Sequence, residues 1–276
     1  MSFAKLFHRS KPVAHPAMDP KGRIKWSYLI CTTHRSGSTL LSEGITAAGC
    51  GDANEYFEES MERIWKEKWQ LPADAEPITF LREVIARATT PNGIFGAKLM
   101  WHQIESLEKK LRPVLAAGEP ELPLSELLIR AFGNPRFIWL KRADKVKQAI
   151  SLVRAEQTGR WHSVDLTGWV GVPPTMPEEC FDFAEIDLRV TTLKFWDSEW
   201  KRFFKRNGIK PLTLVYEEFA PHYEETLFRV SEFLGAKVRS SFVFPPPRLE
   251  KLADETSRQW EAEYLARKKD AATAPL

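Results

Sequence analysis

At 276 residues and 43% hydrophobic, the chain is long enough to bury a substantial core, most simply as one domain. Its 40 basic and 37 acidic residues leave a net charge of +3, which is not the strongly basic footprint of a nucleic-acid binder. Cys31, Cys50 and Cys180 are odd in number with no C-x-x-C spacing, which argues against a disulfide framework and a zinc site. No apolar run approaches the ~20 residues of a membrane-spanning helix and the N-terminus lacks a signal-peptide centre, so the expected protein is cytoplasmic with no integral membrane segment.

Residues 1–25 are basic, with no acid before Asp19, and prolines after Ser10 break any helix; a flexible arm is expected. An apolar run from Tyr28 to Cys31 reads as a buried strand, followed by a polar small-residue turn from Thr32 to Ser38. A helix then begins near Ser38, with Leu41, Gly44, Ile45 and Ala48 on its buried face. "ESMERIWKEKW" and "ITFLREVIARATT" read as further helices, the second presenting Phe80, Leu81, Val84, Ile85 and Ala88, and Pro91-Asn92-Gly93 stops the chain. Ile94 to Leu99 is a short buried strand that carries Lys98. "RPVLAAGEPELPLSE" reads as loop-rich, and "PRFIWLKR" as a strand whose basic end protrudes from the sheet, where open parallel sheets bind ligands.

Asp144 is a good N-cap for a helix bearing Val146, Ala149, Ile150 and Val153 at three- and four-residue steps, with Ser151, Arg154 and Thr158 on a separate polar face. "VGVPPTMPEE" is a proline-rich loop. A long helix with Ile186, Val190, Leu193, Trp200 and Phe204 inward ends at Asn207-Gly208. "PLTLVYEEF" is the last strand, "YEETLFRVSEFLG" a helix ended by Gly235, "FVFPPPRL" an extended linker and "ADETSRQWEAEYLARKKD" a terminal helix, leaving a disordered tail at 271–276. Strands separated by helices, without internal repeats, predict an α/β fold. It should be a P-loop-like three-layer domain over 26–270, with a mainly parallel central sheet and the opening strand–loop–helix at its centre.

In "THRSGSTLL" backbone N–H groups from Arg35 to Leu40 can converge on an anion at the positive end of the helix dipole. Gly37 permits close approach, Ser36, Ser38 and Thr39 offer hydroxyls, and Arg35 adds a fixed charge. The Gly-Lys pair of a nucleotide kinase's loop is missing. Considered alone, the stretch also suits a helix cap without a ligand.

This loop, followed by "NEYFEE", "GAKLMWHQ", "RADKVKQAISLVRAEQTGRWH" and the terminal "RLEKLADETSRQWEAEY", resembles the bacterial trehalose 2-sulfotransferase family, in the family's order and over nearly the whole chain. The resemblance implies a 3′-phosphoadenosine-5′-phosphosulfate (PAPS) donor. Residues Arg35 to Leu40 would bind its 5′-phosphosulfate, and Arg142 and Ser151 its 3′-phosphate. It also implies a carbohydrate or glycolipid acceptor and a homodimer; ten tryptophans, more than one core readily hides, point the same way.

Sulfuryl transfer to a sugar hydroxyl needs in-line positioning, charge stabilisation and a proton acceptor, and does not require a metal. Glu55 matches the glutamate to which the family assigns the base role, with His34 as a rival beside the loop. Lys98, unusual in a buried strand, is assigned with Arg35 to the reacting groups or the acceptor. Arg154, Gln157 and Trp161 suit a sugar, and the segments Ser60–Thr90 and Gly168–Glu179 are expected to shape its pocket. The competing readings are a small-molecule kinase and a non-catalytic nucleotide-binding protein.

Overall fold

The computed structural model describes residues 24–161, 179–246 and 254–273. Most of the expected arm, nearly all of the proline-rich loop, the end of the linker and the last three residues lie outside these. β1 (Trp26–Thr32) pairs in parallel with β2 (Ile94–Met100) on one side and β3 (Arg136–Lys141) on the other, and β3 pairs in parallel with β4 (Leu212–Val215). The order is β2-β1-β3-β4, so the opening strand is internal as its apolar run predicts.

Successive side chains leave opposite faces of a strand, and the two cores divide on that alternation. Leu29 and Cys31 of β1 with Phe95, Ala97 and Leu99 of β2 face α3 (Pro77–Ala88), α4 (Ile104–Leu115), α5 (Leu124–Phe132) and the aromatic end of α7 (Phe183–Arg206). Tyr28 and Ile30 with Ile138, Leu140 and Leu214 face α1 (Ser38–Ala47) and α9 (Tyr223–Phe233). A third cluster joins α6 (Lys145–Thr158), α7 and α10 (Glu255–Thr273), where α10 contributes Trp260 and Tyr264 one turn apart. The remaining helices are α2 (Glu59–Lys68) and the single turn α8 (Tyr216–Phe219).

Three expectations change. The stretch read as loop-rich, Arg112 to Glu126, is loop only over 116–123: it takes in the last turn of α4, whose buried stripe is Ile104, Leu107 and Leu111 and where Pro113 interrupts little, and the first turn of α5. Pro123 caps α5, and Gly133 ends it at φ 72°. The last strand stops at Val215, where the chain turns into α8, and α10 continues past Asp270 to Thr273.

From β1 the chain moves out to β2 at the sheet edge and then passes back across β1 to β3, so the strand order reverses at β1. That reversal opens a crevice beyond the carboxyl ends of β1 and β3, where ligands of open α/β sheets bind. The turn Thr33–Gly37 after β1 and Arg142 after β3 both lie there.

Candidate active site

The lower half of the turn after β1 is fastened from three elements. Thr32 Oγ1 donates to the Leu140 carbonyl at 2.7 Å, while Trp200 Nε1 of α7 donates to the Thr32 carbonyl at 2.9 Å. The buried Gln148 amide of α6 donates to Thr33 Oγ1 at 2.9 Å and to the His34 carbonyl at 2.6 Å. Arg35 (φ 58°) and Gly37 (φ 86°) take left-handed conformations that swing the chain into α1 at Ser38. Gly37 is required there twice over. Its φ disfavours any side chain, and a Cβ would stand 2.4 Å from the ring of Tyr216. Among the described residues no side chain caps α1 and no acid lies in its first turn, so its leading N–H groups keep their capacity for an anion.

Ser36 departs from expectation. It is fully buried, with Oγ 2.6 Å from Thr32 Oγ1, so its hydroxyl braces the turn from beneath instead of facing a ligand. Ser38 and Leu40 are also mostly buried, and Thr39 is half-buried at the start of the helix.

Arg35, Ser151 and Arg142 do meet. Arg35 Nε donates to Ser151 Oγ at 2.9 Å, another guanidinium N–H of Arg35 donates to the Trp161 carbonyl, and Arg142 Nη1 donates to the Arg35 carbonyl at 3.2 Å. Burial first, and then the Arg142 charge, pulls the Arg35 guanidinium down to about 10. An anion placed beside Arg35 would relieve the cost that burial and the neighbouring Arg142 charge put on its guanidinium.

On the other flank, a single parallel bridge from Asn54 to Ala97 lays the chain along the free edge of β2, and Lys98 N donates to the Asn54 carbonyl at 2.9 Å. This sets Glu55 against Lys98, with Nζ 3.1 Å from Oε1; the lysine side chain is 5% exposed and the carboxylate 22%. Glu55 is near enough to affect the protonation of His34, Arg35 and His102. Of its neighbouring acids, Glu58 is the N-cap of α2, accepting from Met61 N, and Glu59 accepts from Ser106 Oγ.

His34 lies in an aromatic cluster that sequence reading did not assemble. Its ring stacks on His102 with centroids 4.6 Å apart, and Trp161 and Trp196 approach it at 5.8 and 6.2 Å. Burial lowers the proton affinity of both imidazoles, that of His102 to about 4, with His34 adding to the effect. Both rings are therefore neutral near pH 7. His34 Nδ1 is buried with no hydrogen-bond partner among the described residues. His102 stood in the quoted "GAKLMWHQ", but nothing in that string alone marks its ring as a neighbour of the loop.

Arg154 and Gln157 are occupied elsewhere. Arg154 forks onto Glu179 and Asp254, both at 2.6–3.0 Å, and so ties α6 to the chain before α7 and to α10. Gln157 exchanges two hydrogen bonds with the backbone of Cys180, at 2.8 and 3.1 Å. The polar face expected to meet a sugar thus holds residues 179–180 at these two positions. Trp161 keeps a partly exposed ring beside the loop.

The Stf0 sulphotransferase family model matches residues 27–267. The chain belongs to that family. It is therefore a sulfotransferase by descent. The Stf0 match extends from the start of β1 into α10 and includes both flanks of the crevice. Two curated relatives are each called trehalose 2-sulfotransferase. That of Mycobacterium tuberculosis (strain Erdman) is 28% identical, with 87% of this chain and 94% of the relative covered. That of Mycolicibacterium smegmatis is 28% identical over 86% and 94%. A crystal structure of a sulfotransferase from Alicyclobacillus acidocaldarius aligns with 90% of this chain and 96% of its own, at 12% identity and a TM-score of 0.44, too slight a likeness to carry weight. No helix among the described residues is long and apolar enough to cross a membrane.

Proposed function

We propose that this Stf0 sulphotransferase moves a sulfuryl group from PAPS to a hydroxyl of a carbohydrate or glycolipid, with a trehalose-like disaccharide the first acceptor to try because both curated relatives carry that sugar in their names. The observation that supports it most is the continuous chain Arg142–Arg35–Ser151 beside the uncapped start of α1, with the Lys98–Glu55 pair on the opposite flank. The residues fit a doubly anionic nucleotide. Arg35 and the leading N–H groups of α1, from Gly37 to Leu40, take the 5′ end. Arg142 takes the 3′-phosphate with Ser151, whose Oγ already accepts from Arg35 and so has its own O–H to give.

The bound donor supplies an activated sulfuryl group on a phosphate leaving group. Glu55 accepts the proton of the attacking hydroxyl, and Lys98, fixed in β2, holds the carboxylate in place. Arg35 and the α1 N-terminus meet the negative charge that builds on the leaving side. The Trp161 ring, with the neutral His34–His102 pair and Trp196 behind it, offers an apolar wall to a sugar face. A homodimer belongs to the same reading.

Calorimetry tests the donor half. Adenosine 3′,5′-bisphosphate should bind with clear heat and compete with PAPS, while ATP with magnesium should bind far more weakly; the reverse ranking would favour a kinase.

A further inference from the structure

β4 runs directly into Tyr216 and Glu217, the first two residues of α8, and these reach both halves of the crevice. The Glu217 carboxylate is bidentate toward the turn after β3: Oε2 accepts from Ala143 N at 2.9 Å and Oε1 from Asp144 N at 3.1 Å, with Arg142 Nε 3.8 Å from Oε1. Burial opposes the charge on Glu217, yet these backbone hydrogen bonds and Arg142 outweigh it and hold the carboxyl below its ordinary range. The same turn is braced again by Asp144, which caps α6 through Lys147 N, and by Lys145 Nζ, which donates to the Arg142 carbonyl at 2.6 Å. One residue earlier, the Tyr216 ring lies under the Arg142 guanidinium at 5.0 Å and fills the space above Gly37 where a Cβ would stand. Tyr216 thus separates the two anion-binding turns by the thickness of one aromatic ring, and Glu217 fixes the direction in which Arg142 leaves the sheet.

We infer that Tyr216 and Glu217 are positioning residues of the donor site: they set Arg142 against the Gly37 turn, so that recognition of a nucleotide 3′-phosphate depends on them without either touching the nucleotide. The inference rests on the donor reading above. A carboxylate is needed at 217 because two neighbouring N–H donors and a guanidinium all require acceptors; a glutamine would turn its own NH2 toward one of them. A ring is needed at 216, whereas its hydroxyl has no part in either contact.

The test compares the affinities of adenosine 3′,5′-bisphosphate and AMP by calorimetry in the full chain, since their ratio isolates the 3′-phosphate. Glu217→Gln should lower the wild-type ratio about tenfold, the order expected when a binding group is misplaced by a fraction of an ångström, and should change AMP affinity less than about threefold. Tyr216→Leu should also lower the ratio, and Tyr216→Phe should keep it. This pair carries the test if Glu217→Gln does not fold. A loss shared equally by both ligands would mean general damage and overturn the inference. So would a large wild-type ratio left intact by Glu217→Gln and Tyr216→Leu, which would leave the donor reading standing. A wild-type ratio near one would overturn the donor reading and the inference together.

Discussion

Replacing Gly37 with alanine perturbs the turn in two separable ways. The backbone at φ 86° would carry a side chain in the left-handed region, at ~1–2 kcal/mol. The new methyl would also meet Tyr216 Cδ2 at 2.4 Å and Cε2 at 2.8 Å, so the ring must retreat by about 1 Å to reach ordinary contact, an overpacking cost of ~1–3 kcal/mol. Gly37→Ala should therefore destabilise the protein by ~2–5 kcal/mol and, because the ring supports Arg142, weaken adenosine 3′,5′-bisphosphate binding. Combining it with Tyr216→Ala removes the overlap and leaves the backbone strain, so in that background the same substitution should cost only ~1–2 kcal/mol. Urea unfolding followed by tryptophan fluorescence, with nucleotide calorimetry on each variant, measures both quantities. A Gly37→Ala protein within about 0.5 kcal/mol of wild type, or a cost unchanged in the Tyr216→Ala background, would refute the reasoning.

Arg142→Ala should weaken nucleotide binding by ~1.5–3 kcal/mol, about 10- to 100-fold in calorimetry, and unchanged affinity would remove Arg142 from the donor site. Lys98→Met leaves Glu55 without its 3.1 Å partner; since the carboxylate is partly exposed, the stability loss should fall to ~1–3 kcal/mol, below that of a fully buried pair, with a drop in turnover larger than in donor affinity. His102 titrates at about 4 in the fold against about 6.5 in an unfolded chain, so between these values the unfolded state binds more protons. Its contribution is complete above pH 6.5 and is lost as pH falls toward 4, by ~1–3 kcal/mol once its partial exposure is discounted, and His102→Gln should flatten that part of the stability profile. Parallel profiles for the two proteins would contradict it.

The features legible in the sequence were those encoded locally. The buried run of β1, the glycine turn into α1, the Asp144 cap of α6 and the inward stripe of α7 each follow from neighbours within one or two turns. The end of α4 and the start of α5 were hidden because Pro113, Gly118, Pro120 and Pro123 dominate the reading of the stretch that joins them, although two of these prolines stand only at a last turn and a cap. "PLTLVYEEF" has no turn residue to mark where β4 gives way to α8; pairing with β3 ends at Val215, and Tyr216 packs over Gly37. In the candidate site, the grouping of Arg35, Arg142 and Ser151 could be expected because the motifs that carry the resemblance contain all three. His102, Trp196 and Glu217 could not be, since each gains its place from a partner tens of residues away. Ser36 and Arg154 show the converse: suitable chemistry in the sequence, already consumed by Thr32 in the first case and by Glu179 and Asp254 in the second.

The central claim is tested most directly by transfer of labelled sulfuryl from PAPS to trehalose and to a panel of bacterial carbohydrates and glycolipids, with wild type and Glu55→Gln side by side. Wild type should label at least one hydroxyl acceptor. Glu55→Gln should turn over at least ~100-fold more slowly while binding PAPS with nearly unchanged affinity. A wild-type protein that binds PAPS but labels no acceptor would contradict the enzymatic reading, and a Glu55→Gln protein that keeps more than about a tenth of wild-type turnover would contradict the assignment of Glu55 as the base.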